Sequence, residues 1–207
     1  VLYRVLTNLS LSISTDGSIN TLNANTNSFA DPTRYSWLTA ISGKYANEWL
    51  TTSASMLATV INEETKRGAA AGNHRKLTPY ITASVKPFSS EELRFRFFYK
   101  DIFRLPNFND LYYSEVGNID LLPENTRQFN AGITYAKEIN DFVPYLSATV
   151  DAYYNRVTNK IMAIPTKNIF VWSMVNLGEV DIKGIDIAGT LSLQPHDEIQ
   201  IHLSANH

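Results

Sequence analysis

The sequence predicts an all-β chain, an antiparallel meander of about nine strands that forms part of a transmembrane β-barrel. Three observations predict it. Apolar and polar residues alternate with period two through most of the chain, long and short connections alternate along it, and large aromatic residues fall near both ends of the alternating runs.

The first run places Val1, Tyr3, Val5, Leu9, Leu11 and Ile13 on one face and Arg4, Asn8, Ser10 and Ser12 on the other. Tyr35, Trp37 and Ile41 repeat the pattern, as do Leu50, Ala54, Met56, Ala58 and Val60, then Leu77, Pro79, Ile81, Ala83 and Val85. The clearest run sets Leu93, Phe95, Phe97 and Tyr99 against Arg94, Arg96 and Lys100. A strand that separates four large apolar groups from three cations separates two solvents, so Leu93 to Tyr99 are expected toward lipid and Arg94, Arg96 and Lys100, with Asp151, toward the lumen. Four further runs follow, around Phe129–Tyr135, Leu146–Tyr154, Ile185–Leu193 and Ile199–Ala205. No helix is expected.

Connections 14–34, 62–76, 103–125 and 163–170 read as long, and 44–47, 88–90, 138–143 and 194–197 as short. Sequential antiparallel strands put alternate connections at opposite ends of the sheet. All long loops therefore emerge at one end, as in outer-membrane barrels with long external loops and short periplasmic turns. That orientation puts Trp37, Tyr99, Phe129 and Tyr154 near outer strand ends and Trp49 and Tyr135 near inner ends, where interfacial girdles lie. One stretch breaks phase: Trp172, Met174, Val180 and Ile182 are even-numbered, and Ile185 onward is odd. Either a β-bulge at Gly184 shifts the strand by one residue, or its first part projects above the membrane. An open sheet cannot sit in lipid with unpaired edges, so the chain, residues 1–207, is expected to be a single-domain fragment of a larger barrel.

Composition excludes several functions. The net charge of −2 gives no basic footprint for nucleic acid. The absence of cysteine removes disulfides, thiolate nucleophiles and Cys-ligated zinc. His74, His196, His202 and His207 have no metal-ligand spacing. Glu63-Glu64 reads as a solvated loop pair. No nucleophile elbow or phosphate-binding glycine loop is present. No catalytic residue, metal ligand or cofactor is therefore assigned.

Residues 103–124 carry the informative motif: Phe103-Arg104-Leu105-Pro106, then Asp110-Leu111-Tyr112, Gly117-Asn118 and Pro123-Glu124. Leu77-Thr78-Pro79-Tyr80 precedes it. Asp151-Ala152-Tyr153-Tyr154-Asn155-Arg156, Lys160-Ile161, Asn176-Leu177-Gly178 and Gly184-Ile185-Asp186 follow. Taken in order over residues 77–190, this set resembles the barrel of TonB-dependent outer-membrane receptors, in their siderophore or vitamin branch more than their glycan branch. Asp186 stands where that family usually has Glu. No plug domain, TonB box or terminal aromatic residue is visible, and residues 1–76 match by strand pattern alone. The resemblance implies a bacterial outer-membrane receptor that imports a scarce nutrient such as an iron–siderophore complex or cobalamin. Its partners would be outer-membrane lipid, the ligand, and TonB acting through a plug outside this chain.

Pro106 lacks an N–H and should stop strand pairing, and Gly117-Asn118 should supply a positive-φ turn. Arg104, Asn107, Asn109, Asp110, Tyr112 and Tyr113 then gather polar and aromatic groups on a long outer loop, where binding is common. They are the candidate ligand-binding residues. The competing reading is that each one folds the loop onto its neighbours. Two other classes remain: a soluble β-sandwich binding module, and an outer-membrane barrel enzyme, which would need Ser or Asp with His converging at one rim.

Overall fold

The structure, a computed structural model, describes residues 2–26, 28–88, 92–167 and 169–207. These form one ten-stranded antiparallel sheet in which every strand pairs with its sequence neighbours. The strands are β1 (Leu2–Leu6), β2 (Leu9–Thr21), β3 (Pro32–Ala46), β4 (Leu50–Thr65), β5 (His74–Val85), β6 (Leu93–Arg104), β7 (Glu124–Lys137), β8 (Tyr145–Pro165), β9 (Trp172–His196) and β10 (Ile199–Asn206). The expected meander is β2 to β10. β1 is an additional short strand, because the run from Val1 to Ile13 reverses at Thr7-Asn8. Leu6 pairs with Leu9 at the turn, but a register shift between Arg4 and Leu6 sets Tyr3 opposite Leu11, so beyond it odd residues face odd residues and the alternation does not betray the reversal. Val1, the side chains of Arg4 and Val5, and most of the expected 88–90 turn lie outside the described residues.

Residues 22–31, 66–73, 105–123 and 166–171 connect strands at one end, and 7–8, 47–49, 86–92, 138–144 and 197–198 at the other. The expected long connections do share one end, but the alternation of length fails toward the C-terminus, where 166–171 is shorter than 86–92 and 138–144 at the other end, and several expected loops shrink. The polar stretch Ser14–Thr21 pairs residue for residue with β3, out to Thr21 opposite Thr33. Ladder hydrogen bonds use the backbone, so polar side chains do not end a strand that has a partner. One helix, α1 (Phe108–Tyr112), interrupts the 105–123 loop where none was expected.

Pairing registers align residues into rows across β5 to β9. One row on the apolar face is Ala83, Phe97, Ala131, Ala152 and Ile185. The next row toward the long loops is Ile81, Tyr99, Phe129, Tyr154 and Lys183, and beyond it lie Asp101, Arg127, Arg156 and Asp181. Tyr99, Phe129 and Tyr154 form a continuous aromatic band, with centroids 4.8 and 6.2 Å apart. The opposite face carries Arg94, Arg96, Lys100 and Asp151, as the alternation requires. Arg96 donates to Asp151 at 2.7 Å across the bare surface of Gly132. Among the described residues no second sheet covers the apolar face, which leaves Phe97 53% and Ile41 60% exposed. A sandwich would bury both, so the sandwich reading fails.

The phase change in β9 is not a bulge. β8 and β9 keep one register from Tyr145↔Ser192 to Pro165↔Trp172, through Tyr153↔Gly184. What changes at the aromatic band is the environment of each face. Real irregularities lie elsewhere: the register shifts between Arg4 and Leu6 and between Ile199 and Ile201, and β5 and β6 pair only from Val85↔Phe95 to Tyr80↔Lys100, although both strands continue. The ladder stops at Pro79, which has no N–H to donate.

Candidate functional site

The 105–123 loop folds back over the polar face at its outer end. Asn107 caps α1: its side chain accepts from the Asp110 amide at 2.8 Å, while its own amide donates to Asp110 Oδ2 at 2.9 Å, a capping box. The apolar side of this turn seats Leu111 and Leu121 against Ile161 of β8, with Met174 of β9 beside them. The same loop is stitched to β9 through polar groups. The Met174 amide donates to the Val116 carbonyl at 2.9 Å, and the Leu122 amide to Asn176 Oδ1 at 2.8 Å. Gly117 is required by close approach, since a Cβ there would stand 2.7 Å from the Leu111 carbonyl oxygen and the Tyr113 nitrogen. The positive φ expected at Gly117-Asn118 falls instead on Glu115, at 68°.

Two ionic clamps fasten the loop. In the first, Arg34 of β3 donates through Nε to Glu63 of β4 at 2.6 Å and through NH2 to the Pro106 carbonyl at 2.9 Å. Its guanidinium also lies over the Phe108 ring at 4.9 Å. Glu63 accepts from the Tyr112 hydroxyl at 2.5 Å, and that hydroxyl accepts from the Ala71 amide at 2.9 Å. Burial, with the hydrogen bond to Glu63, pushes the Tyr112 phenol up to about 12, so it remains a donor at neutral pH. His74, beside this clamp, is held below its usual range by burial, against the pull of Glu63. Glu63 is therefore no solvated loop residue. It is buried within β4, and only Glu64 faces out.

In the second clamp, Glu124 at the start of β7 accepts from Arg104 at 3.1 Å, from Lys160 at 3.2 Å and from the Ile161 amide at 3.3 Å. Burial alone would raise its carboxyl. The Ile161 amide, Lys160 and Arg104 outweigh burial and hold it below the ordinary carboxylate range. Arg104 also lies 3.7 Å from Asp110.

The six candidate residues thus divide. Arg104, Asn107, Asp110 and Tyr112 direct their polar groups into the loop's own clamps. Asn109 and Tyr113 stand exposed on its surface, Tyr113 at 60%. Arg34, Glu63 and Glu124 were not singled out from the sequence as part of this site. Arg34 and Tyr112 meet only through Glu63, and no local pattern connects these three positions.

These features define the wall of a large antiparallel barrel, with one lipid-type face and one polar face roofed by a clamped outer loop. The chain belongs to the TonB-dependent receptors: residues 45–206 match the family described as "TonB dependent receptor-like, beta-barrel". It is 32% identical over 85 residues to the vitamin B12 transporter BtuB of Vibrio vulnificus, a match covering 41% of this chain and 13% of that protein. Its fold is similar to that of the FrpB iron transporter from Neisseria meningitidis (F3-3 variant), with a TM-score of 0.73 and 12% identity over 100% of this chain and 33% of that one. It is similar also to the Serratia marcescens hemophore receptor HasR, solved in complex with its hemophore HasA and heme, with a TM-score of 0.73 and 13% identity over 100% of this chain and 40% of that one. The chain therefore spans a small part of the curated relative and a third to two fifths of these solved receptors.

Proposed function

We propose that this chain is wall and outer loop of a bacterial outer-membrane receptor that imports a metal-bearing small molecule, an iron chelate or cobalamin, without covalent chemistry. One observation carries the reading: the 105–123 loop is pinned by two ionic clamps centred on the buried carboxylates of Glu63 and Glu124, so that Asn109 and Tyr113 are presented on a fastened platform above the polar face. A preorganised loop binds without first losing its own conformational freedom. Tyr113 offers a flat ring with a polar tip, suited to the edge of a chelate or corrin. Relatives that transport vitamin B12 and iron support this ligand class. The plug that would face Arg96 and Asp151, and through it TonB, lies in the part of the receptor outside this chain. The test is uptake of radiolabelled cobalamin and ferric siderophores by cells carrying the full-length receptor, with and without TonB. TonB-dependent uptake that falls in Tyr113→Ala, while heat-modifiable folding on a gel is retained, is the expected result. Uptake indifferent to TonB would overturn the transport reading, and unchanged ligand affinity in Tyr113→Ala would overturn the role of the loop.

A further inference from the structure

Between Trp172 and Asp186, β9 pairs with β8 alone in the described sheet. Successive residues of a strand turn their backbone groups to opposite edges. The Val171 carbonyl faces β8, where it accepts from the Thr166 amide at 2.8 Å, so Met174, three residues on, faces the open edge. The 113–122 half of the outer loop takes that edge. The Met174 amide donates to the Val116 carbonyl at 2.9 Å, and Asn118 Nδ2 donates to the Met174 carbonyl at 3.1 Å. Two residues further along, a β9 side chain holds the loop's backbone. The Leu122 amide donates to Asn176 Oδ1 at 2.8 Å, and Asn176 Nδ2 donates to the Leu122 carbonyl at 2.9 Å.

A carboxamide carries a donor and an acceptor in one plane, as a peptide group does. Asn176 thus gives Leu122 both partners that a neighbouring strand would supply. Its other amide hydrogen goes to the Asn159 carbonyl at 2.9 Å, so no donor is left on Asn176 for a ligand. Asn159 has a φ of 56°, in the left-handed region that Asn tolerates, and the β8–β9 ladder passes over the Asn159–Gly178 pair at that point. A carboxylate at position 176 would set acceptors against two carbonyls. The bracket reaches Tyr113 through the turn it holds. The Gly117 amide donates to the Tyr113 carbonyl at 2.8 Å, and the Asn118 amide to the Asp110 carbonyl at 2.9 Å. The Arg34–Glu63 clamp grips the loop only at Pro106 and Tyr112, on the N-terminal side of Tyr113. Asn176 and Asn118 grip it on the other side.

We propose that Asn176 is a positioning residue for ligand capture. With Asn118 it fixes the 113–122 half of the loop to β9, and so sets where Tyr113 stands. This role rests on the capture function proposed for Tyr113 and names the side chains that govern it.

The test uses cells carrying the full-length receptor. It measures affinity for radiolabelled cobalamin and for a ferric siderophore, and the maximal rate of TonB-dependent uptake. Asn176→Asp keeps the shape of the side chain and loses both donated bonds. It should weaken binding of the probe that the unaltered receptor takes up by about tenfold. The maximal uptake rate at saturating probe should not change, whereas a general loss of structure would lower rate and affinity together. Asn118→Asp, which loses one bond to β9, should weaken binding by less. Asn62→Asp, the same change on the outward face of β4, should bind as the unaltered receptor does. In a Tyr113→Ala background Asn176→Asp should add no further loss, because residues that act through one another are not additive. Heat-modifiable folding is checked for each variant, and Asn118→Asp with Tyr113→Ala decides if Asn176→Asp does not fold. Unchanged affinity in Asn176→Asp, a full further loss in the Tyr113→Ala background, or a lowered rate with normal affinity would each overturn the positioning role alone. Normal binding in Tyr113→Ala overturns the capture role and the positioning role with it. Binding of neither probe, or uptake indifferent to TonB, defeats the receptor reading and both roles that rest on it.

Discussion

Below the aromatic band, β8 and β9 turn Val150, Ala152, Ile185 and Ile187 toward one side and Asp151 and Asp186 toward the other. Above it, with the register unbroken, the polarity of the two sides exchanges. Arg156, Glu179 and Asp181 now occupy the former apolar side, while Val157 and Ile161 are buried on the former polar side near the 105–123 loop. The backbone is the same ladder in both regions. What each face carries changes with its neighbours: exposed apolar side chains give way to exposed charged ones on one side, and an open polar surface gives way to a packed loop on the other. A phase change in sequence can therefore arise with no irregularity in the strand.

Four substitutions would break or sharpen this comparison, taken from the largest expected effect to the smallest. Glu63→Ala leaves the largely covered Arg34 without its carboxylate partner and frees Tyr112. Breaking a buried pair in this way costs about 3–5 kcal/mol. The 105–123 loop should then become a protease site in the full-length receptor while the barrel remains heat-modifiable. Retained protection would mean that the Leu111–Leu121–Ile161 packing holds the loop alone.

Phe97→Arg puts a cation into the apolar row below the band, at about 2–4 kcal/mol near a bilayer midplane. The folded, heat-modifiable form should be depleted. An arginine at Phe98, one residue away on the polar face, should be tolerated. Equal depletion by both would reverse the assignment of the faces.

Glu124→Gln removes the charge that gathers Arg104, Lys160 and the Ile161 amide, a loss of about 1.5–3 kcal/mol for a charge-assisted bond. The pH dependence has a definite sign. The folded carboxyl is held below its ordinary value of 4.5, so its stabilisation is complete above that value. It is lost as the pH falls through the lower, folded value. Protease access to the loop should rise at acid pH in the unaltered receptor, and that particular rise should be absent in Glu124→Gln.

Asp181→Asn, on the water-facing side above the band, disturbs only an exposed cluster. The expected change is about 0.2–1 kcal/mol, near the limit of a thermal melt. A large loss there would show that the outer rim, too, is packed against something.

Much of the fold was legible because it is written in parity. Leu93 to Tyr99 against Arg94 to Lys100 fixed the faces of β6, and alternate connection lengths fixed which loops share an end. Parity cannot report a reversal that preserves it, which is why the β1–β2 turn at Thr7-Asn8 was hidden. Nor can side-chain polarity end a strand whose backbone has a partner, so Ser14–Thr21 read as loop. The capping pattern of Asn107 and Asp110 was present in the chain, but five residues of helix are too few to show periodicity.

The sequence by itself determined the class of the molecule and the two faces of its sheet, and it singled out the 105–123 loop, because period-two alternation and local turn chemistry act within a few residues. The tertiary structure alone decided what that loop does with its side chains. Arg34, Glu63 and Tyr112 in one clamp, and Arg104, Glu124 and Lys160 in the other, come from distant parts of the chain and meet only once the hairpin registers are set. Whether Tyr112 faces a ligand or Glu63, and whether an even-numbered residue of β9 meets water or a packed loop, depends on those long-range pairings, which leave no periodic trace in the chain.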